Sequence, residues 1–247
     1  MSARTTPNNR FANPFRYDEG KSKRGTESPG LPIRENPRSF LKQHLSSAVF
    51  DKLNQYHDLL VKWNKRKQLV SITTLESLWL RHFLDSAQLY SLYPDGIRYK
   101  WMDIGSGGGF PGLVLACIAS EHAPENEFVL VESNNYKAEF LRHVTLKLGL
   151  NAIVQRSRVE DLTPQNANIV SARAVTNLAT LIQWSEKHLA KDGKALFLKG
   201  KNVSNELSEA FEEWDFDHAK KASWTDQTGS VLIVENIRKK TTKTRVD

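Results

Sequence analysis

The sequence predicts an α/β fold, a doubly wound and mostly parallel sheet of seven strands with an antiparallel C-terminal edge hairpin and an N-terminal helical preface. Three observations lead there. From about residue 99, short β-like runs alternate with helical runs, the order that builds a parallel sheet covered on both faces. The last two β-like runs are joined only by the turn-like Thr225-Asp226-Gln227-Thr228, close enough to pair antiparallel. Before residue 96, apolar residues instead recur at spacings of three and four, the stripe of amphipathic helices.

Residues 1–38 mix Pro, Gly, Asn, Ser and charge without apolar periodicity and read as a flexible basic extension. The preface, 39–95, opens with a helix whose stripe is Leu45, Val49, Leu53, Tyr56, Leu60 and Trp63. A second helix starts near Thr74, whose side chain caps its first turn, and runs through Leu78, Leu84 and Leu89 to Tyr93 before Pro94. The doubly wound domain, 96–237, follows. Its strands are expected at 99–105, 127–133, 152–156, 168–175 and 194–200, with helices at 110–122, 135–149, about 177–190 and 203–213, and the hairpin at about 217–224 and 229–236. A basic tail, 238–247, closes the chain.

Composition excludes several classes. With 39% apolar and 26% charged residues among 247, the chain has the make-up of a globular protein. Its longest apolar run, Leu113 to Ala119, is far short of the roughly 20 residues that cross a bilayer, and its first residues hold no apolar block of a secretory signal, so a cytoplasmic location is expected. Cys117 is the single cysteine, which excludes an intrachain disulfide, a CxxC pair and a cysteine zinc cage; no metal is expected. The formal charge is +7, yet residues 1–38 and 238–247 each carry +4, leaving about −1 for the rest. The ends are therefore either solvated tails or an electrostatic aid in reaching a phosphate backbone. No heptad seam argues for more than a monomer.

The strongest local signal is Asp103-Ile104-Gly105-Ser106-Gly107-Gly108-Gly109-Phe110-Pro111-Gly112, between the first strand and its helix, where a doubly wound sheet places its ligand. Glycines permit positive φ and close backbone approach. In the dinucleotide pattern GxGxxG the third glycine would fall at Phe110, which disfavours NAD. The alternation of Asp103, Gly105, Gly107 and Gly109 instead resembles the first motif of class I S-adenosylmethionine-dependent methyltransferases. Glu132, at the end of the second strand, is placed to accept ribose hydroxyls.

Missing residues narrow the methyl acceptor. Pyrimidine C5 methylation usually needs a cysteine nucleophile, and Cys117 lies in the apolar run LVLACIAS as a buried, inert thiol. Exocyclic amine methyltransferases usually carry Asn/Asp-Pro-Pro-aromatic after the fourth strand, where this chain has Ser171-Ala172-Arg173-Ala174-Val175. Guanine N7 has an in-plane lone pair and no proton, so it needs positioning rather than a base.

The chain resembles the bacterial small-subunit ribosomal RNA guanine-N7 methyltransferase family, also called glucose-inhibited division protein B. The resemblance rests on Lys62-Trp63-Asn64 with Leu69, Arg81-His82-Phe83-Leu84-Asp85-Ser86, the Asp103 to Gly112 loop, Arg158-Val159-Glu160, and Ser171 to Ala174 with Leu198-Lys199-Gly200, over roughly residues 45–235. It implies S-adenosylmethionine contacts from Gly105, Phe110, Val159, Glu160 and Arg173. It also implies that the preface packs on the catalytic domain and helps form an RNA-facing cleft, with the rRNA or the assembling small subunit as partner. The family's usual Asn-Leu-Thr is Gln68-Leu69-Val70 here, and the extension before Ser39 is not part of its pattern.

Individual residues keep alternatives open. Arg173 follows a strand, where an unpaired guanidinium is costly, and its target is the cofactor carboxylate, a guanine edge or a phosphate. Arg81 and Asp85 are either an i, i+4 ion pair or, with His82, part of a helix end leaning over the glycine loop to position RNA. His82 is a scaffold residue rather than a base. Lys199 and Lys201 at the fifth strand's end suit phosphates as well as solvent. The alternatives to rRNA methylation are a class I methyltransferase acting on a protein or small molecule, and a non-catalytic ribosome assembly factor with a vestigial pocket.

Overall fold

The computed structural model describes Pro14, Phe15, residues 36–92 and residues 98–241. Asn36 caps the first helix, α1 (Pro37–His44), by accepting from the amides of Arg38 and Ser39 at 3.0 and 3.2 Å, and Pro37 occupies a position where its missing N–H costs nothing. Ser46, in extended conformation, then accepts from Val49 N at 3.2 Å and starts α2 (Ser47–Asn64) afresh. The one helix expected from Ser39 is thus two, because Ser46 satisfies the amides of a new N-terminus, and the 38/39 boundary falls inside α1.

The second preface helix expected from Thr74 is also broken. In its place are α3 (Ile72–Leu75), a π-helical turn (Trp79–Leu84), α4 (Asp85–Ala87) and a 3-10 turn (Gln88–Leu92). Thr74 lies inside α3 and donates its hydroxyl back to Ser71 O at 2.9 Å, so it caps nothing. The π turn lies where Arg81 O accepts from the distant Arg173 at 2.7 Å. The expected end at Tyr93 and Pro94 lies outside the described residues, as does most of the basic extension and tail. Phe15 is described: it is buried at 5% exposure, its ring 5.8 Å from that of Trp224.

Seven strands, β1 (Lys100–Ile104), β2 (Glu127–Val131), β3 (Ala152–Gln155), β4 (Ala167–Arg173), β5 (Leu189–Lys199), β6 (Trp214–Ala222) and β7 (Ser230–Lys239), form one sheet in the order β3-β2-β1-β4-β5-β7-β6. The first five run parallel, and β7 is antiparallel to both β5 and β6, as expected. Three ends move. The helix expected to reach residue 190 is α7 (Leu178–His188), because β5 begins at Leu189 and pairs with β4 through a register shift. Strand β6 begins at Trp214, and β7 takes in Arg238 and Lys239, which had been assigned to the tail.

Alternate residues of β1 divide the core. Trp101 faces a cluster built by the preface, α5 (Gly112–His122) and α6 (Asn135–Leu148); Met102 and Ile104 face a second cluster with α7 and α8 (Val203–Glu213). Helix α5 is buried from Gly112 to Ala119 because α2 and α4 cover the side that the sheet does not, which explains its unbroken apolar run. Within it Cys117 is fully buried, and burial pushes its thiol up to about 12, an inert group. Chain order reverses between β1 and β4, so the carboxyl ends of these two strands open the crevice where such sheets bind ligands.

Candidate active site

The glycine loop leaves the carboxyl end of β1 at that crevice. Gly105, Gly107 and Gly109 have φ of 64°, 56° and 99°, the left-handed region that side chains resist. A Cβ on Gly109 would lie 2.4 Å from the Tyr56 hydroxyl, and one on Gly105 would lie 2.7 Å from Val175. Gly107 differs: a Cβ there would meet nothing nearer than Gly105 O at 3.7 Å, so its face is open to an approaching molecule. Beneath the loop, Tyr56 of α2 donates to Gly108 O at 2.5 Å, and its ring lies 5.3 Å from that of Phe110.

Two carboxylates at the ends of β1 and β2 brace the loop. Asp103 is fully buried, accepting from Gly112 N at 3.1 Å and from the Ser171 hydroxyl at 2.7 Å, while Trp101 Nε1 donates to Ser171 Oγ. Burial raises its carboxyl to about 6, against the hydrogen bonds that lower it. Asp103, expected to contact the cofactor, therefore points inward and ties β1 to β4, with no surface exposed to a ligand. Glu132, 8% exposed, accepts from Gly107 N at 2.9 Å through one oxygen and from Asn134 N at 2.7 Å through the other. Each oxygen keeps a lone pair, so the carboxylate at the open face of Gly107 has capacity for two hydroxyl donors.

Val159 and Glu160 form a 3-10 turn (Val159–Asp161) after β3. The Val159 side chain is buried, its carbonyl accepting from the His188 ring at 3.0 Å, and Glu160 is exposed.

Arg173 ends β4 and reaches across to the preface. It donates to Arg81 O at 2.7 Å and to His82 Nδ1 at 2.5 Å, lies 3.6 Å from Asp85 Oδ2, and sits over the Phe110 ring at 5.1 Å. A guanidinium only donates, so His82 Nδ1 accepts and the ring's proton is on Nε2. Burial and the neighbouring Arg173 and Arg81 lower His82 to about 3, and its ring stacks on Phe110 with centroids 4.7 Å apart. Ala174, next in chain, takes a φ of 52° to turn the strand away.

Asp85 does not pair with Arg81 as i, i+4 spacing suggested. It faces Arg173, and its Oδ1 accepts from Gln88 Nε2 at 2.8 Å and Thr225 Oγ1 at 2.7 Å. Lys199 is already matched, donating to Glu206 at 2.6 Å and Thr176 O at 3.4 Å. Lys201 is exposed and does not line the cavity beside Arg173.

That cavity, about 160 Å³, opens at the carboxyl ends of β4 and β5 and is lined by Arg81, Asp85, Arg173, Lys199, Thr225 and Asp226 among others. The sequence thus gave Arg81, His82, Arg173, Phe110 and Lys199 to one region, and the structure brings them together. Tyr56, Thr225 and Asp226 were missed as site residues. Tyr56 read as one more apolar position of a helix, and the other two as a hairpin turn.

A family described as GidB, rRNA small subunit methyltransferase G, matches residues 50–233. The chain belongs to the GidB family. A Ribosomal RNA small subunit methyltransferase G of Ruegeria pomeroyi is 41% identical over 194 residues, covering 78% of this chain and 94% of the relative. One of the same name from Cereibacter sphaeroides is 44% identical over 191 residues, covering 76% and 90%. A solved SAM-dependent methyltransferase from Aquifex aeolicus superposes with a TM-score of 0.50 at 13% identity, covering 70% of this chain and 97% of that one, a likeness of fold. This GidB protein is a methyltransferase of small-subunit rRNA whose cofactor is S-adenosylmethionine. The residues present fit that group: Gly107 offers a Cβ-free face and Glu132 an acceptor beside it.

Proposed function

We propose that this GidB protein methylates N7 of a guanine in small-subunit ribosomal RNA, acting as a monomer in the cytoplasm. The observation that carries the acceptor atom is that, among the described residues, the groups beside Arg173 and the glycine loop that could take a proton are already engaged. His82 is held near 3 with Nδ1 occupied, Asp85 is tied to Thr225, Gln88 and Arg173, and Lys199 is paired with Glu206. Such a site suits an atom that carries a lone pair and no proton.

S-adenosylmethionine supplies a methyl group on a sulfonium, ready for displacement. Gly105, Gly107 and Gly109 shape its cradle, Glu132 accepts the ribose hydroxyls, and the Val159–Glu160 turn and Phe110 flank the adenosyl part. Arg173 acts as a positioning residue, since its donors already fasten the π turn to β4 over Phe110. Arg81 and Lys201, both exposed, supply positive charge for phosphates. Catalysis is then by position, with N7 held about 3 to 3.5 Å from the methyl carbon.

The test is transfer of radiolabelled methyl to naked rRNA and to small subunits, followed by borohydride-aniline cleavage, which cuts at N7-methylguanine. Cleavage at one guanine supports the reading. Label in protein, or cofactor binding without any transfer, overturns it in favour of a protein substrate or an assembly factor.

A further inference from the structure

Of the five charged residues that line the cavity, Arg81, Asp85, Arg173, Lys199 and Asp226, three are engaged within the protein. Arg173 is fastened to the π turn, Asp85 to Thr225, Gln88 and Arg173, and Lys199 to Glu206. Asp226, on the turn between β6 and β7, is different. Its Oδ1 accepts from the amide and hydroxyl of Thr228 at 2.8 and 2.9 Å, and the charge of Arg81 and the Gly229 amide also favour the carboxylate, while Oδ2 has no side-chain hydrogen bond among the described residues. Those bonds from Thr228 hold its carboxyl below the usual range, so at neutral pH it is an ion that only accepts.

We propose that Asp226 reads the acceptor base, its carboxylate accepting from the N1–H and the N2 amino group of guanine. This rests on the guanine-N7 reading above and goes further by naming the selecting residue. Guanine carries two adjacent donors on its Watson–Crick edge, whereas adenine presents an acceptor at N1, which a carboxylate repels. N7 lies on a different edge of guanine, the Hoogsteen edge that it shares with O6. In the sheet order β1-β4-β5-β7-β6, Asp226 stands at the side of the cavity away from β1, and Arg173, over Phe110 of the glycine loop, stands at the near side. A guanine gripped by Asp226 along its Watson–Crick edge leaves the Hoogsteen edge, with N7, free to face the methyl donor held at the glycine loop. The enclosed part of the cavity, about 160 Å³, is comparable to one that accepts a benzene ring, and the cavity is open at its mouth, so the rest of a purine extends into the opening.

Asp226→Asn separates base reading from turn structure. The amide oxygen keeps the two Thr228 hydrogen bonds, while the amide nitrogen turns a donor toward the donors of guanine. The expected result with small subunits is a fall in kcat/KM of about 10- to 100-fold, with unchanged melting temperature and S-adenosylmethionine affinity. A second readout uses mononucleotides as competitors of methyl transfer. The wild type should be inhibited by GMP more than by IMP, which lacks the N2 amino group, and least by AMP; Asp226→Asn should lose the GMP-over-AMP preference. A variant within about twofold of wild type, or one that loses activity while keeping that preference, overturns the proposal. If the wild type forms no N7-methylguanine, the underlying reading fails as well; if it does and Asp226→Asn matches it, only the assignment of Asp226 fails.

Discussion

Arg173→Ala is the sharpest probe of how the preface is joined to the sheet. The substitution removes donors to Arg81 O and His82 Nδ1, the facing charge of Asp85 at 3.6 Å, and the cation over Phe110. Hydrogen bonds to a charged group contribute about 1.5 to 3 kcal/mol each, offset by the cost of dehydrating the guanidinium. Truncating one partner of a buried ion pair typically costs about 3 to 5 kcal/mol, but Asp85 keeps Thr225 and Gln88 and is 16% exposed, so the lower part of that range applies. A loss of about 2 to 4 kcal/mol follows, which for a chain of this size lowers Tm by roughly 4 to 16 °C. Urea unfolding with and without Asp85→Asn measures it, and the double variant should lose less than the sum of the single ones by about 0.5 to 3 kcal/mol. Methyl transfer assayed well below the transition should fall about 100-fold, because misplacement by about 1 Å costs that much. A variant within about 0.5 kcal/mol of wild type, with additive effects of Asp85→Asn, would refute the strut and leave Arg173 free for a ligand.

Two further outcomes follow from the same geometry. Gly107→Ala should weaken cofactor binding, read by calorimetry, while costing only the left-handed backbone penalty of about 1 to 2 kcal/mol, because its Cβ enters open space; Gly109→Ala should instead lower the melting temperature severely, since its Cβ meets Tyr56 Oη and Leu113. His82 is neutral in the fold down to about 3, whereas in the unfolded chain it takes a proton near its ordinary 6.5. Its contribution is therefore present above 6.5 and lost as pH falls toward 3, and His82→Gln should flatten that limb of the stability profile. Asp103 works in the opposite sense: its carboxyl, near 6 against an ordinary 3.8, keeps a proton in the fold, so that its contribution fades as pH rises through 6, a decline that Asp103→Asn should remove.

The sheet was legible because β1 to β5 and β7 each carry an apolar run, and the hairpin because a β-like run lies on either side of a polar turn, although β6, polar after Phe216, begins three residues before its expected start. The preface was not, and the reason is long range. Residues 79–84 have helical spacing, but in the structure they form a π-helical turn whose carbonyl at Arg81 is taken by a residue 92 positions away. Asp103 was misread for a related reason. An acid before a glycine loop looks the same whether it faces a ligand or the protein; only the pairing of β1 with β4, which sets Asp103 opposite Ser171, reveals that it faces inward. Asp226 reads as an ordinary turn former, and only the folding of β6–β7 beside β5 brings it to the cavity.

These contacts also decide what the preface is. An appended RNA-binding module would touch the catalytic domain through a separable interface, with the glycine loop complete without it. Here Tyr56 of α2 donates to Gly108 O and fills the space that a Cβ on Gly109 would need. Phe110 carries His82 of the π turn stacked on its ring and Arg173 over the ring as well. The loop conformation at three positive-φ glycines is thus held on one side by Asp103 and Glu132 of the sheet, and on the other by side chains that precede the sheet in sequence. Glycine reaches these angles without strain but is equally free to leave them, so the neighbours that pack on the loop hold it in place. The preface is therefore a structural wall of the active site, and a substitution of Tyr56 in α2 or of His82 in the π turn reaches cofactor affinity through the loop.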